Sequence, residues 1–158
     1  MRVVATRRSA TERETSPVAD VIYPVDKLVE MLGESDFVVV AVALTDKTRK
    51  LIGEKELRAM KTTAYIINIA RGSVIDEAAL TRALKERWIA GAGLDVFERE
   101  PLPQDSELWT LPNVIITTHV AGGMPDYNAQ ALEVFCENLR RYLAGQPLMN
   151  VIDRARGY

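Results

Sequence analysis

Apolar residues along the chain gather into short runs and helical stripes that alternate from one end to the other. Arg2 to Thr6 (RVVAT) predicts a first buried strand, and Ala10 to Asp20 is polar and turn-rich. Ala19 to Tyr23 (ADVIY) predicts a second strand. Leu28, Val29, Met31 and Leu32 then form a helical stripe within Val25 to Leu32, ended by Gly33. Asp36 opens the run FVVVAVAL, whose unbroken β-branched character suits a strand covered on both faces. A polar loop and a helical segment near Glu54 to Met60 lead to a strand over Ala64 to Ile69. Glu77 to Arg87 predicts a helix capped by Asp76, with Leu80, Ala83 and Leu84 as its buried stripe. Ile89 to Phe97 and Val114 to Thr118 predict the last strands, separated by an extended loop that Pro101 and Pro103 impose. A final helix, about Asp126 to Leu143, is predicted to bury Leu132, Phe135, Leu139 and Leu143 and to stop at Gly145 and Pro147.

Strands and helices in strict alternation, with no internal repeat or low-complexity linker, imply an α/β fold with a mostly parallel sheet. Composition agrees: 47% hydrophobic and 27% charged residues in 158 are the balance of one soluble globular domain. The longest apolar run, Phe37 to Leu44, is far too short to span a membrane. No signal pattern precedes it, so a cytoplasmic setting is expected. A formal charge of −2, with basic residues scattered among acidic ones, gives no nucleic-acid surface. Cys136 stands alone, which excludes an intrachain disulfide or a cysteine metal site, and no metal is expected; it is read as a small apolar side chain on the last helix.

In an open parallel sheet the carboxyl ends of the strands face the ligand crevice. Here those ends supply Arg7, Arg8 and Ser9; Arg71 before Gly72; Asp95 with nearby Glu100; and His119 before the Gly122-Gly123 pair. Each has a plain alternative. Arg71 can form a surface ion pair, Glu100 can be a solvated loop carboxylate, Asp95 can cap a turn, and a lone histidine is more often structural than catalytic. Yet an arginine fork suits a carboxylate, an imidazole suits proton transfer, and a carboxylate inside an apolar strand needs a partner.

Three ordered runs, NIARGSVIDEAAL, GAGLDVFEREPLP and LPNVIITTHVAGG, resemble successive signatures of the D-isomer-specific 2-hydroxyacid dehydrogenase family, and the resemblance extends from about Met1 to Asp153. It implies a Rossmann-like fold, with a mostly parallel sheet and helices on both faces, over residues 1–158 as part of an NAD(P)-binding domain. It also implies hydride transfer between NAD(P)H and a 2-keto acid or D-2-hydroxy acid such as glyoxylate or hydroxypyruvate. By match to the family motifs, Arg71 would hold the substrate carboxylate, His119 would exchange the proton and Glu100 would orient it. Asp95 would meet the nicotinamide carboxamide. Ile69, Ala70, Ala121 and Gly122 would line the nicotinamide, Arg71 and His119 would also bind the cofactor, and Ala43 and Leu44, with Thr45, would pass near the adenosine side. Arg7, Arg8 and Ser9 follow the strand whose end meets the adenosine ribose, and arginine there favours NADP over NAD. Thr118 departs from the pattern, standing where the family often has proline.

The larger departure is at the amino terminus, where the sequence has no strand followed by a GxGxxG turn. In the usual order that strand is central, so its absence leaves a gap of about twice the ~4.8 Å strand spacing, across which the two halves of the sheet cannot pair. The substrate domain of the family is also without a counterpart in the sequence. A fragment of a larger enzyme, a truncated gene product, or a chain whose sheet a second copy completes or rearranges as a homodimer is therefore expected, with weak catalysis by itself. The competing reading is an inactive scaffold used as a binding or assembly module, as in corepressors resembling this family. Formate-type enzymes fit less well, since they carry glutamine where Glu100 stands.

Overall fold

The computed structural model describes residues 1–155 and divides into two units, Met1–His119 and a second beginning at Val120. The first unit realises the predicted alternation. Its elements are β1 (Val4–Thr6), β2 (Glu14–Ser16), β3 (Ala19–Tyr23), α1 (Leu28–Glu34), β4 (Phe37–Val40), α2 (Glu54–Ala59), β5 (Tyr65–Asn68), α3 (Glu77–Lys85), β6 (Gly91–Leu94) and β7 (Val114–Ile116). The strands form two separate sheets, ordered β1-β3-β2 and β4-β5-β6-β7. In the second sheet every pairing is parallel, and Val40, Asn68, Leu94 and Ile116 stand abreast at the carboxyl ends. No ladder joins β1 to β4.

The larger of two apolar clusters organises this unit, the smaller being Ala10, Ala19 and Ile22. Val38 and Val40 of β4, Ile66 of β5 and Leu94 of β6 are buried with Leu28, Met31 and Leu32 of α1, Leu57 of α2, and Leu80, Ala83 and Leu84 of α3. The helices thus lie against the same face of the sheet. Helix α3 starts where expected, since the Asp76 carboxylate accepts the Ala79 N–H at 3.2 Å and satisfies an otherwise orphaned donor.

Four details differ from the sequence reading. The run from Phe37 to Leu44 is a strand only to Val40, and its two faces are unlike: Phe37 and Val39 are 66% and 59% exposed. They share their face with Tyr65 and Ile115, also exposed, so a uniformly apolar run reads as buried on both sides although only one is covered. The polar stretch Ala10 to Asp20 contains β2, antiparallel to β3; as an edge strand of Glu-Thr-Ser it carries no apolar alternation to reveal it. Gly33 lies inside α1 rather than after it, with room for a Cβ only 3.3 Å from the Ala59 carbonyl oxygen, and the helix ends at Ser35 instead.

The fourth difference concerns the second unit. Its helix α4 (Tyr127–Leu143) has the predicted span, and Gly145 ends it at φ +66°. None of its residues is buried, however; Leu132, Phe135, Leu139 and Leu143 are all exposed, so the amphipathic stripe that predicts burial is uncovered here. Cys136 on this helix is half-buried. Asn138 ties down the following segment, accepting the Met149 N–H at 2.8 Å.

The one-sided core yields a contrast measurable by urea denaturation. Leu57→Ala, at a fully buried site under the sheet, is expected to cost about 2–5 kcal/mol. Ile115→Thr, on the exposed face, is expected to lie within about 0.5 kcal/mol of the parent.

Candidate functional site

Because β5, β6 and β7 run parallel with their last residues abreast, the segments that follow them converge on one edge of the sheet. The segment after β5 carries Ile69, Ala70 and Arg71, and the segment after β6 begins with Asp95. The segment after β7 runs from Thr117 to His119. Their mutual positions follow from a few close contacts.

Gly72 makes the first. A Cβ there would sit 1.8 Å from the backbone carbon of Phe97 and 2.3 Å from the Glu98 nitrogen, so only glycine lets the Arg71 turn lie on the Phe97–Glu98 backbone. The same turn is held from its other side, where Lys50 N–H donates to Ser73 O at 2.8 Å and Ile52 N–H to Val74 O at 3.2 Å. Glu98 N–H donates to the Glu77 carboxylate at 2.8 Å, fastening the second loop to the start of α3.

The second loop then folds back on itself. Glu100 Oε1 accepts the Phe97 N–H at 3.0 Å, while Oε2 meets His119 Nδ1 at 2.7 Å. The His119 backbone N–H donates to Asp95 O at 2.8 Å, and Thr117 Oγ1 donates to the Asp95 carboxylate. His119 adopts φ +57°, a left-handed conformation that is uncommon outside glycine and frequent at functional positions. With Nδ1 committed to Glu100, Nε2 is the ring nitrogen that can exchange a proton with a ligand.

Asp95, Glu100 and His119 line one cavity of about 410 Å³, together with Phe97, Leu102 and Trp109. A hollow of about 450 Å³ along α3 is lined by surface groups, among them the ion-paired Lys85 and Glu107, and brings no such residues together. The Glu100 carboxyl is held below its ordinary value, first by the hydrogen bond to His119, then by the Phe97 N–H, with the charges of His119 and Arg71 adding to both against a burial cost. The Arg71 charge is the smallest of these influences on Glu100. The Arg71 side chain is exposed, and its Nη1 donates to Ala70 O at 2.7 Å.

Other predicted residues are placed as follows. Arg7, Arg8 and Ser9 lie in the turn after β1, where Arg7 pairs with Glu14 of β2 at 2.7 Å. Ala43 and Leu44 lie in the loop beyond β4, pinned when Thr48 Oγ1 donates to Ala43 O at 2.7 Å. Ile69 is exposed, Ala70 is buried, and Asp95 is only 4% exposed. Ala121 and Gly122 belong to the second unit. Among the described residues no acidic, histidine or cysteine cluster could hold a metal ion, and no helix is long and apolar enough to cross a membrane.

Sequence reasoning missed three contributors. Thr117 and the Phe97 backbone N–H leave no usable sequence signal. Asn68 does leave one, as a lone polar residue in the apolar run YIINIA; it is 1% exposed, accepts the Ala70 N–H and donates to Arg71 O, both at 3.1 Å.

Residues 1–121 match the family model described as D-isomer specific 2-hydroxyacid dehydrogenase, NAD binding domain. Among curated relatives, the glyoxylate reductase of Korarchaeum cryptofilum is 46% identical over 131 residues, covering 83% of this chain and 39% of the relative. The glyoxylate reductase of Thermococcus gammatolerans is 50% identical over 127 residues, covering 80% and 38%. The chain thus spans about two fifths of the length of these relatives. Among solved structures, a D-isomer specific 2-hydroxyacid dehydrogenase from Xanthobacter autotrophicus, in complex with NADPH and MES, superposes with a TM-score of 0.83 at 35% identity, covering 100% of this chain and 73% of that one. An NADPH-dependent glyoxylate/hydroxypyruvate reductase from Sinorhizobium meliloti, in complex with NADP and sulfate, gives 0.86 at 31%, covering 99% and 49%.

Two outcomes are expected from this geometry. Gly72→Ala forces the two loops apart, so the mutant should melt at a lower temperature and its His119 ring proton resonances should move, as read by NMR. Glu100, with its carboxyl lowered in the fold from an ordinary 4.5, stabilises the native state above that value, and the contribution is lost as pH falls through the lowered one. Thermal melts of Glu100→Gln should accordingly change less than those of the parent as pH drops below about 4.5.

Proposed function

We propose, for a chain that belongs to the D-isomer specific 2-hydroxyacid dehydrogenase family through its NAD-binding domain, that these residues serve hydride transfer between a nicotinamide cofactor and a 2-keto or D-2-hydroxy acid such as glyoxylate or hydroxypyruvate. The observation that carries this reading is the His119–Glu100 pair at 2.7 Å beside the buried Asp95, with the Arg71 charge acting on Glu100.

The strand ends suit a nicotinamide. Ile69 presents an exposed apolar side chain just beyond β5, and Asp95 offers a buried carboxylate in the adjacent position beyond β6, an apolar surface and a hydrogen-bond acceptor for a flat ring bearing a carboxamide. A bound nicotinamide supplies or accepts the hydride. Arg71 binds the substrate carboxylate through its planar fork and stabilises charge growing on the neighbouring carbonyl oxygen. His119 Nε2 gives a proton to that oxygen during reduction and removes it from the hydroxyl in the reverse direction. Glu100 stays ionised, fixes the ring through Nδ1 and balances the imidazolium charge.

Arg7 and Arg8 in the turn after β1 support NADP over NAD, since arginine there accommodates a 2′-phosphate, which would draw Arg7 from Glu14. The relatives solved with NADPH and NADP agree with this choice. The bare sheet face and the unladdered edges of β1 and β4 support self-association, as a homodimer, and residues 1–158 constitute part of the dinucleotide-binding domain.

The deciding experiment is steady-state reduction of glyoxylate and hydroxypyruvate by the active enzyme that carries these residues, with NADPH and with NADH. His119→Ala should lower kcat by about 10²–10⁴ while circular dichroism is unchanged. An undiminished kcat removes His119 from the chemistry, and faster turnover with NADH overturns the cofactor assignment.

A further inference from the structure

We infer that Asn68 is a positioning residue that sets the presentation of the Arg71 guanidinium, an inference that rests on the proposed grip of Arg71 on a substrate carboxylate. Asn68 is the last residue of β5, flanked by Val40 and Leu94, and is 1% exposed. Just beyond it the sheet ladder runs out: Ile69 N–H still reaches Val40 O at 3.3 Å, and Asp95 N–H reaches Asn68 O at 3.0 Å. Neither neighbouring strand serves the Ala70 N–H or the Arg71 carbonyl. The Asn68 carboxamide serves both, its oxygen accepting from Ala70 N–H and its nitrogen donating to Arg71 O, each at 3.1 Å.

The consequence falls on the peptide between those two bonds. Peptides 69–70 and 71–72 are clamped on either side of it, and Gly72 is pressed against Phe97, so the Ala70–Arg71 peptide cannot rotate freely. Its carbonyl oxygen, Ala70 O, is the acceptor that holds Arg71 Nη1 at 2.7 Å. One edge of the guanidinium is thereby engaged, and its remaining N–H groups are left to grip a carboxylate in a preset orientation. Only a side chain that donates and accepts at once can do this. A buried aspartate accepts but does not donate, and alanine leaves the Ala70 N–H without this acceptor and Arg71 O with the Val74 N–H alone, at 3.1 Å.

The test is NMR of the full 158-residue chain, with oxamate, a 2-keto acid analogue that is not readily reduced, as the probe. Two readouts are followed: the order of the Arg71 Nε–Hε bond vector in the free protein, and the oxamate dissociation constant. Arg58, whose Nε donates to Glu54 at 2.8 Å on α2, is the internal control. Asn68→Ala should mobilise Arg71 Nε but not Arg58 Nε, and weaken oxamate binding by about tenfold. Asn68→Asp, which keeps the shape and the bond to Ala70 N–H but loses the donor to Arg71 O, should mobilise Arg71 Nε relative to the parent, and it decides the matter if the alanine variant does not fold. A purely structural Asn68 would lower the melting temperature and leave Arg71 Nε as ordered as in the parent, which overturns the inference. If Asn68→Ala mobilises Arg71 Nε and oxamate binds that variant as tightly as it binds the parent, the carboxylate grip is wrong and the positioning role stands.

Discussion

A Cβ at position 72 would lie 1.8 Å from the Phe97 carbonyl carbon, and the whole candidate site depends on that space being empty. Two loops from neighbouring strands touch backbone to backbone there, at a separation no side chain permits. One loop presents Arg71. The other turns through Phe97 and Glu98, and its returning N–H at Phe97 captures Glu100, which in turn captures His119. A guanidinium, a carboxylate and an imidazole, separated widely in sequence, are set relative to one another by this packing and by the in-register ends of β5, β6 and β7. Charge then reinforces what packing begins, since Arg71 and His119 both favour the ionised form of Glu100.

The sheet beneath the site is built from one side only. Val38, Val40, Ile66 and Leu94 bury themselves under α1, α2 and α3, and the loops that carry the site are tied into that covered half through Ile52, Asp76 and Glu77. The opposite face leaves Phe37 stacked on Tyr65 at 5.8 Å with both rings accessible, and Val39 and Ile115 exposed as well. The chemistry-bearing edge and this exposed apolar face are distinct, and the first is organised without the second.

Sequence reading reached most of the skeleton because strand and helix periods are local properties. The span of β3, the capping of α3 by Asp76 and the end of α4 at Gly145 are each decided by a handful of adjacent residues. Burial is not local, and there the reading faltered. FVVVAVAL and the α4 stripe have the composition of covered surfaces, yet coverage depends on what lies opposite, which periodicity does not encode. The roles of Arg71, Glu100 and His119 were legible only through the resemblance of three ordered motifs to a known family. Its supports were not: Phe97 contributes a backbone N–H, and Thr117 is one hydroxyl among several. Asn68 was the exception, because a polar residue inside an apolar strand carries the same demand for a partner that had drawn attention to Asp95.

His119 shows how such supports substitute for local stiffness. Its left-handed φ of +57° is disfavoured by about 1–2 kcal/mol for an L-residue, and the preceding residue, Thr118, lacks the ring that would restrict the approach. Nothing in the tripeptide itself holds that conformation. What holds it is on either side: the His119 N–H donates to Asp95 O at 2.8 Å, the ring meets Glu100, and Thr117 grips the Asp95 side chain. Asp95 is thus gripped through its carbonyl and its carboxylate at once, which fixes β6 to the segment after β7 at the point where the backbone is strained. The orientation of the imidazole is consequently a property of the folded sheet edge rather than of the residue that precedes it.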